Sequence, residues 1–293
     1  MISNTVKNNE KPQTYWSSVL HRLLKNRRAM ISFYVLSVIV LACIFVPIIS
    51  PYKLETVNMA ERDVLPSSKY WLGTDKVGRD LFTRLFYAGR ISLGIALAVT
   101  AMVSVIGVIL GSLAGFYRKY IDVVIMRLCD VFLSFPFLVF CITVRAVFGN
   151  SIPILIFTLV LLSWPSIARI VRAQILTLRE MEYMEACEAL GISDFRRIFK
   201  HLLPNVLAYV IVYATLNMAS VILTETALSF LGLGVSPPTP TWGNLIQEAR
   251  DFLVLQRKWW YWVPPGLAIF ISVMCFNLLG DGLRDAIDPK MKR

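Results

Sequence analysis

The chain has 293 residues, 56% of them hydrophobic, with a mean hydropathy of +0.62 and a formal net charge of +11. Soluble domains carry about 45–50% apolar residues, so this composition excludes an ordinary water-soluble globule. The basic excess then reads as charge lying beside anionic lipid, not as a nucleic-acid face.

Residues 1–14 are polar. From there Trp16, Val19, Leu20, Leu23 and Leu24 recur at helical spacing, with Arg22, Lys25, Arg27 and Arg28 around them. The pattern predicts a cytoplasmic tail over 1–28 ending in an amphipathic interfacial helix; the alternative is a plain positive flank to the first span. Six stretches then reach the about 20 apolar residues that a bilayer core requires: 29–49, 92–116, 123–147, 152–170, 206–231 and 261–279. No small-residue cleavage site precedes the first, which is expected to be retained. The third carries Arg127, Asp130 and Arg145, and Ser134-Phe135-Pro136 predicts a kink inside it. The expected fold is all-α, a polytopic membrane protein with six transmembrane helices. With the N-terminus inside, 18 of the 30 Lys and Arg residues fall in inner segments, which predicts N-in, C-in.

The loops are structured. Within 50–91, Gly73-Thr74-Asp75 and Gly78-Arg79-Asp80 predict a turn-rich motif with a local network of Asp75, Arg79 and Asp80. Over 232–260, Pro237, Pro238 and Pro240 predict a stiff connection, followed by a short surface helix at 246–252. Trp259, Trp260, Tyr261 and Trp262 predict an interfacial aromatic belt. The inner loop, about 170–204, reads as helix, glycine turn, helix. Gly191 suits the left-handed residue closing the first helix. Ser193 or Asp194 then caps a second, whose Phe195, Ile198, Phe199 and Leu202 form one apolar face, and Pro204 ends it. Such a hairpin suits either a groove on a partner protein or the lipid surface.

Chemistry-bearing motifs are missing from the sequence. It has no GxxxxGK[ST], HExxH or GxSxG, and its five cysteines and two histidines show no metal spacing. The expectation is a non-catalytic chain with no cofactor and no metal. Polar residues within the spans are candidates for a translocation path: Asn217, Glu225 and Asn277, with Thr215, Ser220 and Thr224 nearby. Glu225 at that depth needs a partner, a proton or water, so it either lines the path or pairs with a charge in the third span.

These residues resemble a known family. Glu185-Ala186-Cys187, Gly191 and Leu203-Pro204 are similar to the EAA motif of ABC importer permeases, with Cys187 in place of the second alanine. The outer motif at 73–80, the segment 228–243 and the segment 277–289 resemble the C-type permease of oligopeptide, dipeptide and nickel importers. The resemblance implies a type I ABC importer transmembrane domain over 89–282. The first span and an extracytoplasmic loop would occupy 29–88, and a cytoplasmic tail 283–293. It further implies a multi-pass inner or plasma membrane subunit in a heterodimer with a second permease, two cytosolic ATPases and an external solute-binding protein. ATPase contact would fall to Glu185, Ala186, Cys187, Gly191, Asp194, Phe195 and Pro204. A peptide is the expected cargo; nickel or another small solute, and a stand-alone channel or secondary carrier, stay open.

Overall fold

A computed structural model describes residues 15–287, so the expectations for residues 1–14 and 288–293, and for the Trp16 side chain, lie outside it. Helix α1 (Tyr15–Lys25) stops at Asn26, whose side chain accepts from the Ala29 N–H and caps α2 (Arg27–Ile49). Val19 and Leu23 of α1 pack with Ala208, Ala286 and Ile287, whereas Leu20 and Leu24 stay exposed. The amphipathic stripe is therefore shared between protein and the surface.

Helix α3 (Leu81–Tyr117) starts at Leu81, well before the expected 92, and spans 37 residues. At 1.5 Å per residue this is about 55 Å, so one end must project beyond a hydrocarbon core of about 30 Å. Asp80 starts it early by accepting the Thr83 N–H at 2.8 Å. The third span is not one kinked helix. It is two, α4 (Lys119–Ser134) and α5 (Phe137–Phe148), bent by 85°. Pro136 has no N–H, and the residue before a proline is pushed toward extended backbone, as Phe135 is here (ψ 130°).

Helix α6 (Ile152–Arg179) returns and packs along α3 through Gly107, Gly111 and Gly115. A Cβ on Gly111 would lie 2.5 Å from the Ala168 carbonyl oxygen, so only glycine permits this approach. Two ion pairs tie α4 to α6: Asp122 to Arg172 at 2.5 Å and Asp130 to Arg169 at 2.5 Å. The charges carried by the third span are partnered: Arg127 also lies 3.6 Å from Asp130, and Arg145 donates to the Gly234 carbonyl.

After α7 (Glu182–Ala189) comes the short α8 (Asp194–Arg196). A π-helical turn (Arg197–Leu202) then runs without a break into α9 (Leu203–Phe230). Pro204 therefore does not end the second helix. In the wide turn the Leu203 N–H bonds the Ile198 carbonyl five residues back, which accommodates a proline lacking its own donor. The last elements are α10 (Trp242–Gln247), α11 (Phe252–Arg257) and α12 (Val263–Ile287).

Among the described residues, five continuous helical segments are long and apolar enough to cross a membrane, and the α4–α5 pair is a sixth when taken together. That pair joins the two ends of the bundle. Arg118, just before α4, meets Glu180 at 2.7 Å, while Arg145 near the end of α5 donates to the Gly234 carbonyl at the other end. One end carries α1, α7 and the last turns of α12 (the hairpin end). The other carries the 50–80 and 231–262 connections (the loop end).

Candidate functional site

The hairpin is built as the glycine signal implied. Gly191 has φ +68°, its N–H bonds the Glu188 carbonyl at 2.9 Å, and the Ile192 N–H bonds the Cys187 carbonyl at 3.0 Å. This is the paired-bond ending that needs a left-handed residue. Met184 and Cys187 on α7, and Ile198 and Leu202 beyond the turn, are buried. The apolar face expected over 195–202 is consequently split. Ile198 and Leu202 anchor the hairpin, while Phe195 and Phe199 stack on each other at 4.3 Å and stay 70% and 54% exposed. Leu190 at the turn is 78% exposed.

Arg197 locks the base. It pairs with Glu188 at 2.9 Å and Asp194 at 2.5 Å, and lies over the Phe116 ring beside Arg179. Asp194 is thereby an ion-pair partner, and Ser193 occupies the cap position without a side-chain capping bond. Glu185 and Ala186 face outward, and among the described residues Glu185 has no ion pair. Pro204 is exposed within the continuous helix.

At the loop end the 73–80 motif forms a clasp. Gly73 (φ +73°) and Gly78 (φ +79°) turn left-handed where a Cβ would meet the Val64 and Asn58 carbonyl oxygens. Thr74 is buried, bonding the Glu61 carbonyl and the Val64 N–H. The buried Asp75 carboxylate accepts the Val77 and Arg79 N–H groups and pairs with Arg79 Nε at 2.6 Å. Asp80 does not join this network; it caps α3. Arg84 and Glu248 join instead, with Arg84 3.6 Å from Asp75 and 3.9 Å from Glu248. Burial, then nearby Asp75, pushes the Glu248 carboxyl above the usual range, against Arg84 and Arg79.

The expected aromatic belt divides too. Trp259 and Trp262 are exposed, but Trp260 and Tyr261 are buried against this clasp, with Tyr261 donating to Asp63 at 2.6 Å. The surface helix expected at 246–252 begins at Trp242, under a Thr241–Asn244 capping box, and is mostly buried.

Glu225 is 1% exposed and, among the described residues, has no cationic partner. Ser229 donates to it at 2.7 Å and Ser92 at 3.3 Å, and Ser92 also accepts the Trp242 N–H. The expected pairing with a third-span charge is thus absent, because Arg145 donates to the Gly234 carbonyl and Arg127 pairs with Asp130 at 3.6 Å. Glu225 instead knits α9, α3 and α10 together. Asn217 is half-buried and donates to Thr100 of α3 at 3.0 Å; Asn277 is half-buried on α12. Thr215, Ser220 and Thr224 turn back to carbonyls of their own helix.

Residues 107–293, more than half of the chain, match the family model described as binding-protein-dependent transport system inner membrane component. The chain belongs to that family. Residues 14–66 of this inner membrane component also match the N-terminal TM domain of oligopeptide transport permease C. Similar proteins include the dipeptide transport system permease protein DppC of Alkalihalophilus pseudofirmus, 38% identical over 94% of this chain and 90% of that one. A putative peptide transport system permease protein of Brucella abortus is 40% identical, over 92% and 90%. The glutathione transport system permease protein GsiD of Pectobacterium atrosepticum is 37% identical, over 96% and 93%.

Proposed function

We propose that this chain is one half of the pore of an ATP-driven importer for dipeptides or oligopeptides, oriented N-in, C-in. It works beside a second permease subunit and receives cargo at its loop end from an external binding protein. Two cytosolic ATPases supply force, one of them at the α7–α8 hairpin. The relatives' peptide and glutathione cargoes support the substrate class.

The single observation that carries the coupling role is the hairpin's division of labour. Its inner side is fastened by Met184, Cys187, Ile198, Leu202 and Arg197, while Leu190, Phe195, Phe199 and Glu185 remain free. A two-state core can be biased from outside only through an element that moves as a body. The unbroken run from Asp194 to Phe230 gives that element a direct route into the bundle. In this reading Glu185 makes an ionic contact with the ATPase, and Gly191 sets the lever's angle. Asn217 and Asn277 border the path, and Glu225 holds the loop-end packing beside it.

Uptake of defined peptides and of Ni²⁺ in a deletion strain complemented with this chain tests the proposal. Peptide uptake that Gly191→Pro abolishes is expected. Restored nickel uptake without peptide uptake overturns the cargo; intact uptake in Gly191→Pro overturns the lever.

A further inference from the structure

A cavity of about 370 Å³ opens at the loop end between the start of α3, α10 and the turn at Pro237 and Pro238. Lys76, Arg79, Arg84 and Arg250 line it, against one carboxylate, Glu248. Asp75 stands behind Arg79 and Arg84, so the four cations answer to two acids and the cavity keeps a cationic excess.

Two groups in it are unsatisfied. Arg84 is 4% exposed, yet its Nε and Nη1 donors make no hydrogen bond among the described residues. Its carboxylate neighbours at 3.6 and 3.9 Å lie beyond hydrogen-bond reach. The Oε2 atom of Glu248 is equally without a donor. Buried polar groups are rarely left so, and both belong to residues that line the same cavity.

We propose that this cavity binds a short zwitterionic peptide, its terminal carboxylate on Arg84 and its ammonium on Glu248. Arg79 and Lys76 reinforce the anionic end; Arg250, which also lies over the Phe230 ring, extends the cationic wall. The volume falls within the range of small-molecule sites. The nearly inaccessible position of Arg84 suits a free solute better than a surface side chain of a docking protein. The proposal rests on the peptide-importer reading and gives that reading a recognition site within this chain.

Ligand-observed NMR on the full chain in nanodiscs, with dialanine, dialaninamide and N-acetyldialanine as probes, tests it. Wild type should bind dialanine about tenfold or more tightly than the amide, since hydrogen bonds to charged groups contribute on that scale. Arg84→Gln should erase the carboxylate preference, and Glu248→Gln should erase the preference for a free amine. Lys76→Gln, at an exposed rim position, should weaken dialanine several-fold whether or not Arg84→Gln folds. Equal binding of the three probes by wild type overturns the proposal, as does a folded Arg84→Gln protein that still prefers dialanine to its amide. Probe discrimination without peptide uptake by the assembled system would refute the importer reading and leave the cavity standing. Uptake without discrimination would do the reverse.

Discussion

Truncating the two exposed phenylalanines separates a docking hairpin from one that merely lies on lipid. Burying a phenylalanine fully is worth about 1.5–3 kcal/mol. With 70% of Phe195 and 54% of Phe199 still exposed, each ring realises less than half of that within this chain. Phe195→Ala or Phe199→Ala should therefore cost about 1 kcal/mol of fold stability. If an ATPase groove covers the remaining surface, losing both rings should weaken docking by about 2–4 kcal/mol. The rings touch at 4.3 Å, so their effects are coupled and the lower end is expected, about thirtyfold in affinity. The assay is ATPase-subunit affinity for the nanodisc-embedded permease pair, with thermal melting as control. Docking within threefold of wild type in the double variant would refute the groove.

Gly111→Ala forces a methyl against the Ala168 carbonyl oxygen, a backbone atom that no rotamer change can move, so α3 and α6 must part. Thermal unfolding should report a loss of about 1–3 kcal/mol. Glu225→Gln should be near neutral in the same assay, because no cation among the described residues faces the carboxylate. Glu225→Leu strands the Ser92 and Ser229 donors and should cost about 1–3 kcal/mol. The Asp63 carboxyl, raised by burial but lowered more by Lys258 and Tyr261, ends below its usual range. Its contribution is present above the unfolded-state pKa and is lost as pH falls through the lowered folded value. The gap in melting temperature between wild type and Asp63→Asn should accordingly close on acidification.

Hydropathy located the spans, though not the early start of α3 or the 85° break in the third, and Gly191 and its flanking helix formers marked the hairpin turn, because both signals are local. What the sequence hid depends on distant partners. Arg84 carries no signature in the sequence because Asp75 and Glu248, which border it, lie on separate connections. Glu225 invited a cation because Ser92, 133 residues away, is a common residue with no signature of its own. Trp260 and Tyr261 matched an interfacial belt until the 63–74 segment folded over them. A visible signal was missed as well: glycines four apart at 107, 111 and 115 mark a close helix contact from sequence alone. Pro136 and Pro204 carry the same local rule and gave opposite outcomes. A π-helical turn just before Pro204 keeps its helix continuous, whereas α4 and α5 are broken at Pro136.

The central claim is that force generated on separate subunits enters this chain through its hairpin. Peptide flux into proteoliposomes holding the permease pair and the binding protein, with and without ATPase subunits and hydrolysable ATP, measures it directly. Accumulation should require both, and should vanish when Leu190, Phe195 and Phe199 are replaced by alanine. Accumulation without nucleotide hydrolysis, or undiminished in that triple variant, would contradict the account.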